Sequence, residues 1–281
     1  MEASLCSMRR SVAAVALDTK SGTVFDRILE ARRAAISHRK RVLPEAVLRM
    51  AVKQADPARD FAGALARTGI NIISELKKAS PSRGVIREDF RPADLAVALE
   101  RAGAVALSVL TEEEFFQGSL KDLREARKAV NIPVLRKDFI LDAWQVWESR
   151  AADADSFLLI VAALSDSMLA ELLALGRELG MEPLVEVHAR PELDRALAAG
   201  AHIVGVNNRD LRTLEVLLET SLELAAGIPD ECIAVSESGF RTPAEIKQLQ
   251  AAGFDAFLIG EHLMSQPDPA AALATLLAGG V

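Results

Sequence analysis

Apolar positions along this chain follow two rhythms. Up to about residue 68 they recur at helical spacing; after Gly69, short and nearly unbroken apolar runs alternate with amphipathic stretches of about a dozen residues. The runs predict strands at 71–77, 104–110, 132–137, 156–161, 182–187, 202–206, 232–236 and 255–260. The intervening stretches predict helices near 92–101, 120–130, 142–152, 166–179, 190–199, 214–226, 243–252 and 269–277. Proline or a capping residue stands at several helix starts (Pro92, Ser165, Pro191, Thr242), and Gly103, Gly180, Gly200 and Gly253 lie just past helix ends. Strand, crossover helix and strand repeating without a hairpin signal implies a parallel sheet. Eight such pairs favour closure into a (β/α)8 TIM barrel over an open doubly wound sheet. The first strand is not followed by Gly-x-Gly-x-x-Gly, which weakens the dinucleotide-binding alternative further.

The segment before the barrel reads as an N-terminal helical extension. Residues 23–30 have helical apolar spacing, Pro44 opens a second helix through Met50, and residues 57–67 suggest a third. The basic side chains Arg32, Arg33, Arg39, Lys40 and Arg41 are expected on a solvated face, where they would also draw an anionic ligand toward a nearby mouth. The domain expectation is a flexible tail over 1–20 and one barrel domain over 21–281, with 21–68 as its extension.

Composition narrows the function classes. The 33 basic and 40 acidic residues are mixed along the chain, giving a net charge of -7 with no basic run, so nucleic acid is not an expected partner. Two cysteines, Cys6 and Cys232, cannot build a disulfide framework and fit a reducing, cytoplasmic compartment. No apolar run reaches the ~18 residues a membrane span needs. Met8-Arg9-Arg10 before residues 11–17 imitates a signal peptide only faintly, because its apolar core is too short.

In a closed barrel the interior is packed and chemistry is confined to the C-terminal ends of the strands. Five of the eight predicted ends carry charged or amide side chains: Glu75 and Lys77, Lys137, Glu186, Asn207 with Asn208, and Glu237. The run 132–140 shows the conflict best, with Arg136, Lys137 and Asp138 inside what otherwise reads as a buried strand. A lone buried ammonium is costly. Lys137 is therefore either solvated and paired with Asp138 at a strand end, or part of a site. Any one of these residues is explained well enough as a rim ion pair; five at one end of one barrel are not.

The remaining ends suggest an anion site. Ser238-Gly239 after the seventh strand and Gly260-Glu261 after the eighth supply turns whose backbone N–H groups suit a phosphate, a recurrent barrel feature. Glu261 fits such a site only through its main chain. Phe115, Phe116 and Phe139 follow the second and third strands, and in a chain with no Tyr and ten Phe they offer an apolar wall for an aromatic ring. His38, His188, His202 and His262 have no metal-ligand spacing, so no metal is expected.

Five ordered motifs, Ser74-Glu75-Leu76-Lys77-Lys78-Ala79-Ser80-Pro81-Ser82, Leu135-Arg136-Lys137-Asp138-Phe139, Leu184-Val185-Glu186-Val187-His188, Asn207-Asn208-Arg209-Asp210-Leu211 and Ser236-Glu237-Ser238-Gly239, resemble indole-3-glycerol-phosphate synthase of tryptophan biosynthesis. The resemblance runs from about Thr23 to the C-terminus. It departs at Lys78, where arginine is common, and at Leu217, where an acidic residue is usual. It implies a cofactor-independent carboxy-lyase that converts 1-(2-carboxyphenylamino)-1-deoxyribulose 5-phosphate to indole-3-glycerol phosphate with loss of CO2 and water. The implied general acid is Lys137 and the family's usual base is Glu186, with Glu75 and Lys77 as the other candidates for the dehydration step. Asn207 and Glu237 are assigned to orienting hydroxyls and lysines, and Ser80 and Arg209 to the substrate carboxylate. Phe116 and Phe139 are assigned to its ring, and Ser238, Gly239, Gly260 and Glu261 to its phosphate. The expected partner is this sugar phosphate, bound by a monomer or weak homo-oligomer. Two alternatives remain: phosphoribosylanthranilate isomerase, which resembles a Cys/Asp acid-base pair absent from this first strand, and a non-catalytic sugar-phosphate-binding barrel.

Overall fold

A computed structural model describes residues 22–278. Eight parallel strands close into a barrel: β1 Asn71–Leu76, β2 Ala106–Leu110, β3 Val134–Lys137, β4 Ser156–Ile160, β5 Leu184–Val187, β6 Ile203–Asn207, β7 Ile233–Glu237 and β8 Ala256–Ile259, with β8 pairing back onto β1. Side chains on a strand alternate between faces, and the alternation divides the barrel's apolar residues into two cores. Ile73, Ala106, Leu135, Leu158, Leu184, Ile203, Val235 and Leu258 fill the inside. Ile72, Leu107, Val134, Phe157, Val185, Val204, Ala234 and Phe257 join the outer core, where helices cover the sheet. The strands are apolar on both faces because both faces are buried.

The outer helices are α4 Pro92–Arg101, α5 Leu120–Ala129, α6 Ala143–Ala151, α7 Asp166–Glu178, α8 Arg190–Ala198, α9 Glu219–Ala225, α10 Pro243–Ala251, the single turn α11 Glu261–Met264, and α12 Pro269–Ala278; before them stand α1 Val24–Val42, α2 Glu45–Val52 and α3 Phe61–Leu65. The fold is thus a TIM barrel with an N-terminal helical extension, as the periodicity predicts. The expected tail over 1–20 lies outside the described residues. Among the described residues no helix is long and apolar enough to cross a membrane.

The extension differs from expectation in its charges. α1 begins at a capping box, Thr23 with Asp26, and lays Phe25 and Ile28 into the core at the barrel's mouth. Its basic face is not simply solvated. Arg32 is buried and donates to Asp138 at 2.6 Å, Arg39 reaches Glu148 at 2.6 Å, and Lys40 pairs with Asp142. Further along, Ile36 and Leu48 pack on Trp144 and Trp147 of α6, and the Trp144 indole donates to the Leu43 carbonyl at 2.9 Å. These contacts seat the extension on the third β/α unit.

Two predicted helices are shorter than their patterns. Residues 57–67 give only Phe61–Leu65, capped by Asp60. The helix predicted from residue 214 starts at Glu219, because the chain after β6 first makes a loop closed by a bridge between Arg209 and Val216, with Leu214 at φ 64°. The loop after β1 folds into a small antiparallel ribbon, Ala79–Ser80 against Gly84–Val85.

Candidate active site

Barrel register brings the predicted residues to one end. Glu186 is level with Ile160 and Gly205, Asn207 with Glu237, and Lys137 with Leu110. Glu75, Lys137, Glu186, Asn207 and Glu237 share the parity of the inner core, so their side chains close the barrel interior from above. Lys77 follows one residue after β1. All six candidate catalytic residues line one cavity of about 500 Å³. So do Ser80, Phe116, Phe139, Arg209, Ser238, Gly239, Gly260 and Glu261.

At the floor the Lys137 ammonium lies between two carboxylates, 2.9 Å from Glu186 Oε2 and 2.5 Å from Glu237 Oε2. Lys77 pairs with Glu75 Oε1 at 2.5 Å. Burial disfavours the charge on Lys137, but Glu186 and Glu237, with Glu75 behind them, outweigh it and hold its pKa above the ordinary lysine value. The carboxylates divide. Burial raises the pKa of Glu186, yet Lys137 and His188 together bring it below the usual carboxylate range. Glu237 lacks the second cation, and burial assisted by the nearby Glu186 charge pushes it up to about 7 against the pull of Lys137. One ammonium, one firmly ionised carboxylate and one carboxyl titrating near neutrality is a set suited to proton transfer at a single centre.

Two glycines make room for this chemistry. A Cβ at Gly205 of β6 would strike the Glu237 carboxylate, and one at Gly260 would strike Glu75. Gly260, assigned from sequence to the phosphate turn, therefore also fixes where Glu75 sits. Ser238 and Gly239 after β7 have φ of 67° and 101°, both in the left-handed region, in the turn that lines the cavity. At the rim, Arg209 Nη2 and Arg83 Nη1 approach the Glu261 carboxylate at 3.2 and 3.3 Å, and Asn207 Oδ1 accepts the Arg209 main-chain N–H at 3.0 Å. On the opposite side the ring of Phe139 lies 6.2 Å from those of Phe25 and Phe116, a wall wide enough for an aromatic substrate.

The pairing of Lys137 with Asp138 weighed from sequence is absent. Neighbouring residues on a strand face opposite ways, so Arg136 and Asp138 point outward into a buried network with Arg32, Thr111 and Glu148 while Lys137 points inward. Gly205, Phe25, Ile28 and Arg83 also belong to the site or its support without being singled out from sequence, and His188, which closes one of the five motifs, has no role assigned from sequence. Gly205 carried a signal, being a glycine inside an apolar strand. Phe25 and Ile28 carried none, since a helix's apolar stripe does not say what it covers. Among the described residues no group of three or more His, Cys, Asp or Glu side chains is arranged to hold a metal ion.

The family profile described as Indole-3-glycerol phosphate synthase matches residues 25–276. The chain is 52% identical over 250 residues to the indole-3-glycerol phosphate synthase of Chloroherpeton thalassium, covering 86% of this chain and 95% of that one. It is 49% identical over 258 residues to that of Rhodococcus jostii, covering 92% and 96%. Among solved structures, a 3-hexulose-6-phosphate synthase superposes with a TM-score of 0.58 at 18% identity over 76% of this chain and all of its own, a likeness of fold alone. With the matched region spanning both the helical extension and the full barrel, the chain belongs to the indole-3-glycerol phosphate synthase family.

Proposed function

We propose that the cavity converts 1-(2-carboxyphenylamino)-1-deoxyribulose 5-phosphate to indole-3-glycerol phosphate, CO2 and water, with the chain's own side chains as acid and base. The carrying observation is the Lys137 ammonium held between Glu186 and Glu237 below a mouth with a phenylalanine wall on one side and the Ser238–Gly239 turn on the other. In this reading the ring carbon bearing the carboxylate attacks the ketone carbon, and Lys137 gives its proton to the ketone oxygen as charge develops there. The carboxylate leaves as CO2, and its bonding pair restores the aromatic ring. The new hydroxyl then departs as water, taking a proton from an acid while Glu186 removes the proton that completes the indole double bond.

Glu75 and Lys77 are placed to serve that second step or to hold the substrate. Asn207 and Glu237 orient hydroxyls and Lys137, Ser80 and Arg209 meet the substrate carboxylate, and Ser238, Gly239, Gly260 and the main chain of Glu261 meet the phosphate. Phe116 and Phe139 receive the ring. The same reading has the chain act in the cytoplasm as a monomer or weak homo-oligomer and fold as one unit over 21–281, supported by the buried ties between α1 and the third β/α unit.

Incubating purified protein with the carboxyphenylamino substrate and following indole fluorescence tests the proposal. Growth of the indole signal without added cofactor is expected. Absence of that signal together with turnover of phosphoribosylanthranilate would transfer the site to the isomerase reaction, and binding of the substrate without turnover would make it a silent barrel.

A further inference from the structure

Behind the cavity a second set of charges leads away from Glu186. Its Oε2 takes Lys137, while its Oε1 faces Nε2 of His188 at 3.3 Å. The other ring nitrogen, Nδ1, lies 3.2 Å from Glu192 Oε2, and the same oxygen accepts the His188 main-chain N–H at 2.8 Å. Glu192 stands in the first turn of α8, where free backbone N–H groups favour a carboxylate. The imidazole is thus clamped between a solvent-side glutamate fixed by a helix start and a buried glutamate at the floor of the site. Its side chain is 11% exposed and that of Glu186 is 2% exposed.

A neutral imidazole carries one N–H and one lone pair. With Nδ1–H directed at Glu192, a neutral ring would turn its Nε2 lone pair toward a carboxylate oxygen, and only the imidazolium suits both neighbours. Burial opposes that charge, but Glu186 and Glu192 outweigh it and push the pKa up to about 10; Asp210, in the loop after β6, adds a weaker negative charge nearby. The groups facing Glu186 are then His188 just past the end of its own strand, Lys137 from β3, and the Glu237 and Glu75 carboxylates beyond Lys137.

We infer that His188 is a positioning residue for the reaction: standing between Glu192 and Glu186, with its Nε2 3.3 Å from the Glu186 carboxylate, it holds that carboxylate by charge and supplies a second cation beside Lys137. This rests on the reading of Glu186 as the base. It accounts for the unequal behaviour of the two glutamates around one lysine, since Glu237 shares Lys137 but has no histidine behind it.

Four measurements decide it. Nitrogen-detected titration of the imidazoles, with His188 assigned by loss of its signal in His188→Gln, should show a cation well above neutral pH; titration near the ordinary 6.5 overturns the inference. Kinetically, His188→Gln should lower kcat on the order of tenfold, the size of one lost neighbouring charge, with little change in KM. It should also move the acid limb of the kcat profile to higher pH, which a merely structural loss would not do. Glu192→Gln should lower the His188 pKa and give a smaller shift in the same direction; because Glu192 lies 3.2 Å from Nδ1, the imidazole that responds to it is His188, so this variant with the parent's titration decides the matter even if His188→Gln does not fold. Glu186→Gln separates the two readings. An active Glu186→Gln removes the base assignment, whereas an inactive Glu186→Gln beside a His188→Gln whose pH profile superimposes on the parent's removes only the role of His188.

Discussion

Arg32, in the helix that precedes the barrel, donates to Asp138 at 2.6 Å, and Asp138 is the residue next to Lys137. The same carboxylate oxygen accepts from Arg136 at 2.9 Å and from the Thr111 hydroxyl at 2.6 Å, and the other oxygen takes the Phe139 N–H at 2.8 Å. The backbone that delivers the ammonium is thereby held from the outside by the extension. Removing one partner of a buried pair costs more than the pair contributes, because a charge is left stranded. Here Arg136 remains, so Arg32→Ala is expected to destabilise the protein by about 2–4 kcal/mol. Burial opposes ionisation of Asp138, but Arg136 and Arg32 outweigh it and hold the carboxyl below its ordinary 3.8. A depressed carboxyl stabilises the fold above the unfolded value and loses that contribution as pH falls through the folded one. The Tm gap between parent and Arg32→Ala should therefore be constant from pH 7 to about 4 and narrow on further acidification; a gap that widens there contradicts the assignment.

Lys137 has the position and charge of a general acid, and such a group is typically worth about 10²- to 10⁴-fold in rate. Lys137→Ala should lose at least the lower figure in kcat while circular dichroism shows an intact fold. Turnover within a few-fold of the parent would take Lys137 out of the role.

Glu237 predicts an ionisation near neutrality. Its carboxyl is pushed up to about 7, so the folded chain keeps a proton that the unfolded chain releases near 4.5. That stabilisation is complete below the unfolded value and fades as pH rises toward the folded one. Glu237→Gln, which mimics the protonated form, should melt close to the parent at pH 4 and several degrees above it at pH 8. The kcat profile of the variant should also lose a titration near pH 7. Equal melting temperatures at pH 8 would show that Glu237 is already ionised at lower pH.

The barrel was legible because unbroken apolar runs and period-3.6 apolar patterns are local properties, and the strand ends were legible because a charged residue closing an apolar run is conspicuous. What the chain kept hidden depends on partners distant in sequence. Arg32 reads as one of several solvated basic residues until Asp138, more than a hundred positions later, is seen opposite it. Residues 214–218 carry helical spacing, yet the bridge from Arg209 to Val216 holds them as a loop. His188 reads as a scattered histidine because its significance lies in Glu186 and Glu192 flanking its two ring nitrogens, which only the turn from β5 into α8 creates.

Gly260 gives the most discriminating steric test. Its φ of −121° lies outside the left-handed region that favours glycine. The obstacle is the Glu75 carboxylate, which a new Cβ would strike, just as one at Gly205 would strike that of Glu237. Because Glu75 also holds Lys77 at 2.5 Å, its displacement carries both residues away from the cavity. Gly260→Ala should therefore lower kcat by roughly tenfold or more, since small misplacements of reacting groups are costly, at little cost in Tm. Gly205→Ala should act on Glu237 instead and disturb the titration near pH 7. If Gly260→Ala keeps parental kcat, either Glu75 yields without consequence or it takes no part in turnover, and Glu75→Gln measured alongside separates the two: a large loss identifies the first, and parental activity the second.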